Sequence, residues 1–332
     1  MSSLPDTTAT KTMDWNAKRV IVTGGAGFLG RCVCRKLRER GVLPANIMIP
    51  RRSECDLTSE TDVARLVRNA FGKDKPDVII HLAAEVGGIG ANLANPGRYF
   101  FANMAMALHL IEQSRLDGLH ERGGKFVQVG TICAYPNLTP VPFREENLWN
   151  GYPEVTNAPY GVAKKAAWQM LEAYRLQYAF RATYVLPVNL YGPFDNFDLS
   201  SSHVIPALIR KAIEAKNRGD KEIVCWGTGS ASREFLYVED AAEGILRASE
   251  VMDDPTPINL GAGFEIKIKD LVELIVKLVD FKGTITWDTS KPDGQPRRSL
   301  STDRAATLLN WRAEVGFEEG LKRTIEWYRA NA

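Results

Sequence analysis

Tyr160 and Lys164 stand four residues apart in the segment PYGVAKKA, so on a helix their side chains share one face. An ammonium beside a phenol favours the phenolate, lowering a pKa of about 10 in the free side chain. Such a tyrosine passes a proton to or from a carbonyl oxygen while hydride moves at the adjacent carbon. Tyr and Lys at this spacing are common by chance. The pair gains weight from the stretch upstream that ends in Gly130-Thr131. That stretch, GTICAYP at 130–136, raises the question of what Cys133 is for. A cysteine is a small hydrophobe and often mere packing. It is also a thiol with a free pKa of about 8.5, close enough to neutrality to carry a proton. His203, in SSHVIPAL, suits proton transfer too, although an isolated loop histidine reads as a satisfied polar residue. His81 lies inside an apolar run and reads as structural, and His109 and His120 carry no motif.

A second chemistry-bearing stretch is TGGAGFLG, which supplies Gly24, Gly27 and Gly30. In a strand–turn–helix, the first glycine permits the turn and the second lets a pyrophosphate approach. The third lets helix and strand pack closely, with helix N–H groups aimed at the anion. An acid at the end of the following strand would favour NAD. That strand ends instead in IPRRS, and the guanidiniums of Arg51 and Arg52 suit a 2′-phosphate, so NADP is expected. Two arginines in a surface loop are also ordinary solvated charge.

These residues need elements to hold them. Residues 19–23 (RVIVT) read as a strand ahead of the glycines, and Leu29, Val33 and Leu37 recur at helical spacing after them. Runs at 46–50, 77–84, 125–131 and 182–190 continue the strands, with helical patterns at 58–71 and 99–115. This alternation predicts an α/β fold, a Rossmann-type doubly wound parallel sheet covered on both faces. The pattern loosens after about residue 190, where shorter elements, helices at 268–279 and 317–329 and a basic loop KPDGQPRR follow. The expected division is a flexible tail over 1–17, a dinucleotide-binding domain over 18–190, and mainly a substrate-binding lobe over 191–332. Some elements of the lobe are expected to return to the first domain, and the lobe to lie over the carboxyl ends of the strands.

Bulk properties exclude other classes. The 42 basic and 40 acidic residues nearly cancel, and the net +2 gives no reason to expect nucleic acid or an anionic membrane as partner. No apolar run approaches the roughly 20 residues needed to span a bilayer. The opening MSSLPDTTATKTMDWNAKR lacks the apolar core of a signal peptide. Five cysteines without a CxxC pair suggest neither a disulfide framework nor a zinc site, so no metal and a reducing, cytoplasmic setting are expected.

On TGGAGFLG and Tyr160-x-x-x-Lys164, the chain resembles the extended short-chain dehydrogenase/reductases. More narrowly it is similar to their GDP-L-fucose synthase group, a likeness carried by AAEVGGIGAN, GTICAYP, EVTNAPYGVAKKA, PVNLYGPFDNFDLSSSHVIPALIRK, WGTGSASREFLYVEDAA and KPDGQPRR. The resemblance implies Thr131 in place of a catalytic serine, Tyr160 and Lys164 as the reductase pair, and Cys133 and His203 as epimerisation base and acid. For NADP it implies Phe28, Leu29, Asp56, Leu57 and Ala83 beside the glycines and arginines. Pro187, Val188, Asn189 and Leu190 would line the nicotinamide end, together with Tyr160, Lys164 and His203. For a nucleotide-sugar, GDP-linked in this group, it implies Asn189, Val204, Lys211, Trp226, Arg233, Lys291 and Arg298. It also implies a homodimer. Three departures stand out: Thr131 for serine, Glu85 where a basic residue is common, and Lys211 for an arginine.

The implied chemistry is coherent. A sugar with a C4 ketone has acidic hydrogens at C3 and C5; inversion needs a base on one face of the ring and an acid on the other. Related readings are a GDP-keto-heptose epimerase/reductase and an NAD-dependent 4-epimerase or dehydratase. A dehydratase would want an acidic pair beside Thr131, which TICAYP does not offer. A non-enzymatic NADP-binding scaffold would have no use for Tyr160, Lys164, Cys133 and His203 together.

Overall fold

In the computed structural model, which describes residues 13–291 and 293–332, a six-stranded parallel sheet carries the first half of the chain. Chain order runs β1 (Val20–Thr23), α1 (Phe28–Glu39), β2 (Ile47–Met48), α2 (Glu60–Asn69), β3 (Val78–His81), α3 (Ile89–Ala94), α4 (Pro96–Leu116) and β4 (Lys125–Val129). There follow α5 (Ala158–Tyr178), β5 (Ala182–Pro187), β6 (Asn189–Tyr191), α6 (Val204–Arg218), β7 (Glu222–Trp226), β8 (Ser232–Arg233) and β9 (Phe235–Tyr237). The chain ends with α7 (Val238–Val251), β10 (Pro257–Leu260), β11 (Ile266–Lys267), α8 (Ile268–Val279), β12 (Thr284–Asp288), β13 (Arg297–Arg298), α9 (Asp303–Leu309) and α10 (Phe317–Asn331).

The main sheet has the order β10-β5-β4-β3-β1-β2. Its strands are apolar on both faces because helices cover both. Ile21, Ile79 and Phe126 pack with Val63, Leu110 and Leu171 on one side, while Val20, Val22, Val78 and Ile80 pack with Val33 and Leu37 on the other. Each such buried side chain contributes about 1.5–3 kcal/mol. The order reverses at β1, since β2 lies on one side of it and β3 on the other. A crevice opens at such a reversal, at the carboxyl ends of the strands.

The second half builds a lobe with its own core, in which α6, α8 and α10 enclose Ile209, Ile275 and Leu321. Helix α8 has the expected bounds, burying Leu271, Ile275 and Val279 at four-residue spacing. Other elements return to the first sheet: α7 packs on α1, and β10 extends the sheet beyond β5.

Three expectations change. The run 182–190 is not one strand: at Val188 the chain leaves the sheet, and Asn189–Tyr191 pair instead with Phe235–Tyr237. The strand at 46–50 shrinks to two residues, and PINL at 257–260 is a sheet strand that its short, Pro-flanked sequence does not advertise. Residues 1–12 of the expected tail lie outside the described residues. The tail does not extend to 17, because Trp15 is only 4% exposed and its indole N–H donates to Glu250 at 2.8 Å. Burying a ring of that size holds the chain against the body.

Candidate active site

One cleft of about 1010 Å³ lies between the sheet and the lobe. It is lined by every candidate site residue except Lys291. At its floor the turn after β1 is forced by sterics: Gly24 has φ +71°, and a Cβ on Gly30 would overlap the Gly24 carbonyl oxygen. Gly27 caps α1 with backbone alone, so the first N–H groups of that helix have no side-chain partner. A bare helix start at the sheet's reversal is a cradle for a pyrophosphate. The residues therefore fit a dinucleotide, with Phe28, Leu29 and Ala83 around the cradle and Asp56 and Leu57 on the adjoining wall.

The two arginines beyond β2 are not equivalent. Arg52 pairs with Glu85 at 3.1 Å, and Glu85 also binds Arg98 at 2.7 Å. Arg51 has no ion pair among the described residues and is exposed. Glu85 is thus a counter-charge for Arg52. We expect the double substitution of Arg51 and Arg52 by Ala to weaken NADPH binding by about ten- to a hundred-fold, the size of a lost charge-assisted hydrogen bond. NADH binding should fall much less, and Arg51→Ala alone should cost more than Arg52→Ala. Fluorescence titration of both cofactors checks this; equal losses would remove the 2′-phosphate assignment.

The strand β4 delivers the next group. It ends at Val129, and Thr131 caps the short helical turn 132–134 by accepting the Cys133 N–H at 3.2 Å. Thr131 therefore orients the backbone of Cys133. The opposite wall is α5, which brings Tyr160 and Lys164 to the same place. It approaches closely because residue 161 is glycine: a Cβ there would overlap the Cys133 carbonyl oxygen. Tyr160 and Lys164 are 8% and 2% exposed, with the ammonium 5.9 Å from the ring centroid.

The electrostatics correct one expectation. The spacing leads to a phenol depressed by its lysine, yet burial pushes Tyr160 well above its ordinary value. The Cys133 charge acts in the same direction, and the Thr131 hydroxyl opposes both. Burial also lowers Lys164 to about 8. Desolvation disfavours both charged forms. The phenol is protonated at neutral pH, the form a proton donor needs. His203 starts α6, and although its side chain is exposed to the cleft, the enclosing walls desolvate it and lower its pKa. His81 is fully buried, with Nδ1 2.7 Å from Thr23 Oγ1, and burial holds it neutral.

On the lobe side, Trp226 is 63% exposed at the cleft mouth, with Lys211 and Lys291 ammonium groups 5.8 and 5.6 Å from its ring. Arg233 donates to the backbone oxygens of Gln295 and Asp293, bracing the 291–298 loop. Asn189 gives its amide N–H to Glu234 O, and Val204 and Leu190 complete the wall. Arg298 lines the cleft as expected and makes a further contact there. Its guanidinium donates to Cys133 Sγ at 3.5 Å. The sequence reading also omitted Glu154, Asn157 and Asp293, all of which line the cleft. Glu154 and Asn157 sit six and three residues ahead of Tyr160, and that proximity in sequence is the local signal that pointed to them.

Comparisons with known proteins agree with this geometry. Residues 20–261 match the NAD dependent epimerase/dehydratase family. The chain is 37% identical over 320 residues to GDP-L-fucose synthase 1 of Arabidopsis thaliana, covering 96% of both chains. Among solved structures it superposes on a GDP-L-fucose synthetase from Naegleria fowleri bound to NADP, with TM-score 0.83, 27% identity and coverage of 99% and 96%. It also superposes on a GDP-6-OMe-4-keto-L-xylo-heptose reductase from C. jejuni, with TM-score 0.85, 27% identity and coverage of 97% and 100%.

Proposed function

The chain belongs to the NAD dependent epimerase/dehydratase family, and from that premise we propose an NADPH-dependent 3,5-epimerase and 4-reductase of a GDP-linked 4-keto-6-deoxy sugar. The proposed reaction turns GDP-4-keto-6-deoxy-D-mannose into GDP-L-fucose, as the names of its relatives suggest. The observation that carries the reading is the meeting of Cys133 with Tyr160 in one cleft that His203 also lines.

In this mechanism the thiolate of Cys133 takes a proton from the carbon beside the C4 ketone. The C–H electron pair moves into an enolate, and His203 returns a proton from the other face. The two carbons are inverted before reduction, because reduction destroys the ketone that acidifies them. When bound, the dinucleotide supplies the hydride. Tyr160 gives its phenolic proton to the C4 oxygen, and Lys164 stabilises the phenolate left behind. Trp226, flanked by two ammonium groups, would stack on the base at the cleft mouth. A thiol base must stay reduced, which fits the cytoplasm.

The C. jejuni neighbour favours a second reading, in which the sugar is a GDP-linked keto-heptose. Incubation with NADPH and a panel of GDP-, UDP- and dTDP-linked keto-sugars separates the two. Loss of reduced-nicotinamide absorbance is followed beside product stereochemistry. Turnover of the GDP-4-keto-6-deoxy sugar with inversion at two carbons is expected; consumption of none of the panel would remove the enzyme reading.

The homodimer belongs to the same proposal. Helix α4 exposes Phe101, Leu108 and Leu116 at helical spacing, an apolar stripe that supports pairing of two copies. Phe101→Glu with Leu108→Lys should halve the mass measured by light scattering. A wild-type protein already monomeric at micromolar concentration would end this part of the reading. Among the described residues no helix is long and apolar enough to cross a membrane.

A further inference from the structure

Cys133 and Arg298 are 165 residues apart in sequence, yet the guanidinium lies 3.5 Å from the sulfur. The backbones on both sides of this contact are held in place. On the sulfur side, the Thr131 hydroxyl fixes the backbone of Cys133. On the arginine side, β13 pairs in parallel with β8, in the register Arg298↔Arg233. The buried carboxylate of Glu234 accepts the N–H of Leu300, and the Glu234 N–H donates to Arg298 O. Glu234 thus holds the backbone on one side of the strand, and the Phe143 N–H, donating to Ser299 O, holds the next residue on the other.

Its side chain is underused by protein. Arg298 Nε is buried and has no hydrogen-bond partner among the described residues, unlike Arg233, whose fork is taken up by three backbone oxygens. The two guanidiniums are close enough that burial and the charge of Arg298 together push Arg233 down to about 10. A pair of cations in a partly desolvated wall calls for a negative group. Asp293 and Glu265 act on Arg233 and Arg298 acts on Glu154, but the group in contact with the Arg298 guanidinium is the Cys133 sulfur, which becomes anionic on losing its proton. An adjacent cation favours that form by Coulomb attraction and by charge-assisted hydrogen bonding.

We infer that Arg298 is a positioning residue that holds Cys133 as a thiolate aimed at the sugar ring. The inference deepens the proposed function, because the base at C3 and C5 must be a thiolate before it accepts a proton. In the step the C–H bond breaks, the S–H bond forms, and the electron pair moves to the C4 oxygen. Arg298 neither gains nor loses a proton. The groups that share the cleft wall with Cys133 are Tyr160 and Lys164 on α5, Glu154 ahead of it, His203 at the start of α6, and Arg233 beside Arg298. The Arg298 charge also stabilises the Glu154 carboxylate, which is held by hydrogen bonds from Thr156 and Asn157, and Asp293 and Glu265 act on Arg233.

The test is the pH profile of iodoacetamide alkylation at Cys133, followed by mass spectrometry on the full-length protein without substrate. Arg298→Gln should shift the profile upward and slow alkylation at pH 7 by roughly ten-fold, equivalent to one pH unit. Arg298→Lys, which keeps the charge, should recover most of the rate. Circular dichroism and NADPH binding check that each variant is folded. An unshifted Gln profile overturns the inference, as does equal loss in Lys and Gln. A shifted profile with deuterium exchange at the sugar unchanged would leave Arg298 as the thiolate's partner and remove Cys133 as the base, so the two readings fail separately.

Discussion

Tyr160→Phe should lower hydride transfer by about two to four orders of magnitude, the usual worth of a positioned proton donor. The variant loses one hydroxyl from a ring that is 8% exposed, so the fold and NADPH binding should survive. Stopped-flow measurement of NADPH oxidation reads the effect. Turnover within a few-fold of wild type would mean that another acid serves C4. The buried lysine adds a pH signature. Lys164 is lowered to about 8, so its ammonium is lost as pH rises through that value, and reduction should fall with it. The stability effect has the opposite sign. The unfolded chain, with a lysine pKa near 10.4, binds the proton more tightly, so burial of Lys164 costs stability below about pH 8 and the cost fades towards pH 10. Activity lost and stability gained over one alkaline window is a combination that a purely structural lysine would not give.

Cys133→Ser should abolish solvent exchange at C3 and C5. The serine hydroxyl has nearly the size of the thiol but is a far poorer base. In deuterated water the variant should incorporate little label into substrate, and it should reduce the uninverted ketone instead. His203→Asn should keep some exchange through Cys133 while slowing the return of the proton on the other face. Both variants should bind NADPH, since the phosphate cradle is built from the turn after β1. Mass spectrometry of the recovered sugar decides. Label entering the Cys133→Ser reaction at the wild-type rate would falsify the base assignment and leave the cysteine as packing.

Much of this site was legible because its parts are local. Gly24, Gly27 and Gly30 follow an apolar run within eight residues, and Tyr160 and Lys164 share one helix face. The helix at 268–279 carried its own periodicity. What escaped depends on contacts between distant segments. The short edge strand Pro257–Leu260 is stabilised by pairing with β5 rather than by its own pattern. The salt bridge from Glu85 to Arg52 and the donation from Arg298 to Cys133 join residues 33 and 165 positions apart. The Tyr160 proton affinity also escaped, because spacing reveals the lysine but not the burial that raises it.

The close approach of α5 to the turn that bears Cys133 has a consequence for how the two reactions can vary. Only a hydrogen at residue 161 lets the helix reach the Cys133 carbonyl, and Tyr160 is the neighbouring residue on that helix. A side chain at 161 would push apart the groups for inversion and for reduction at the same time. Backbone change there cannot silence one activity and spare the other. A descendant that reduces without inverting is therefore expected to arise by exchanging side chains such as those at 133, 203 or 298 on an unaltered frame.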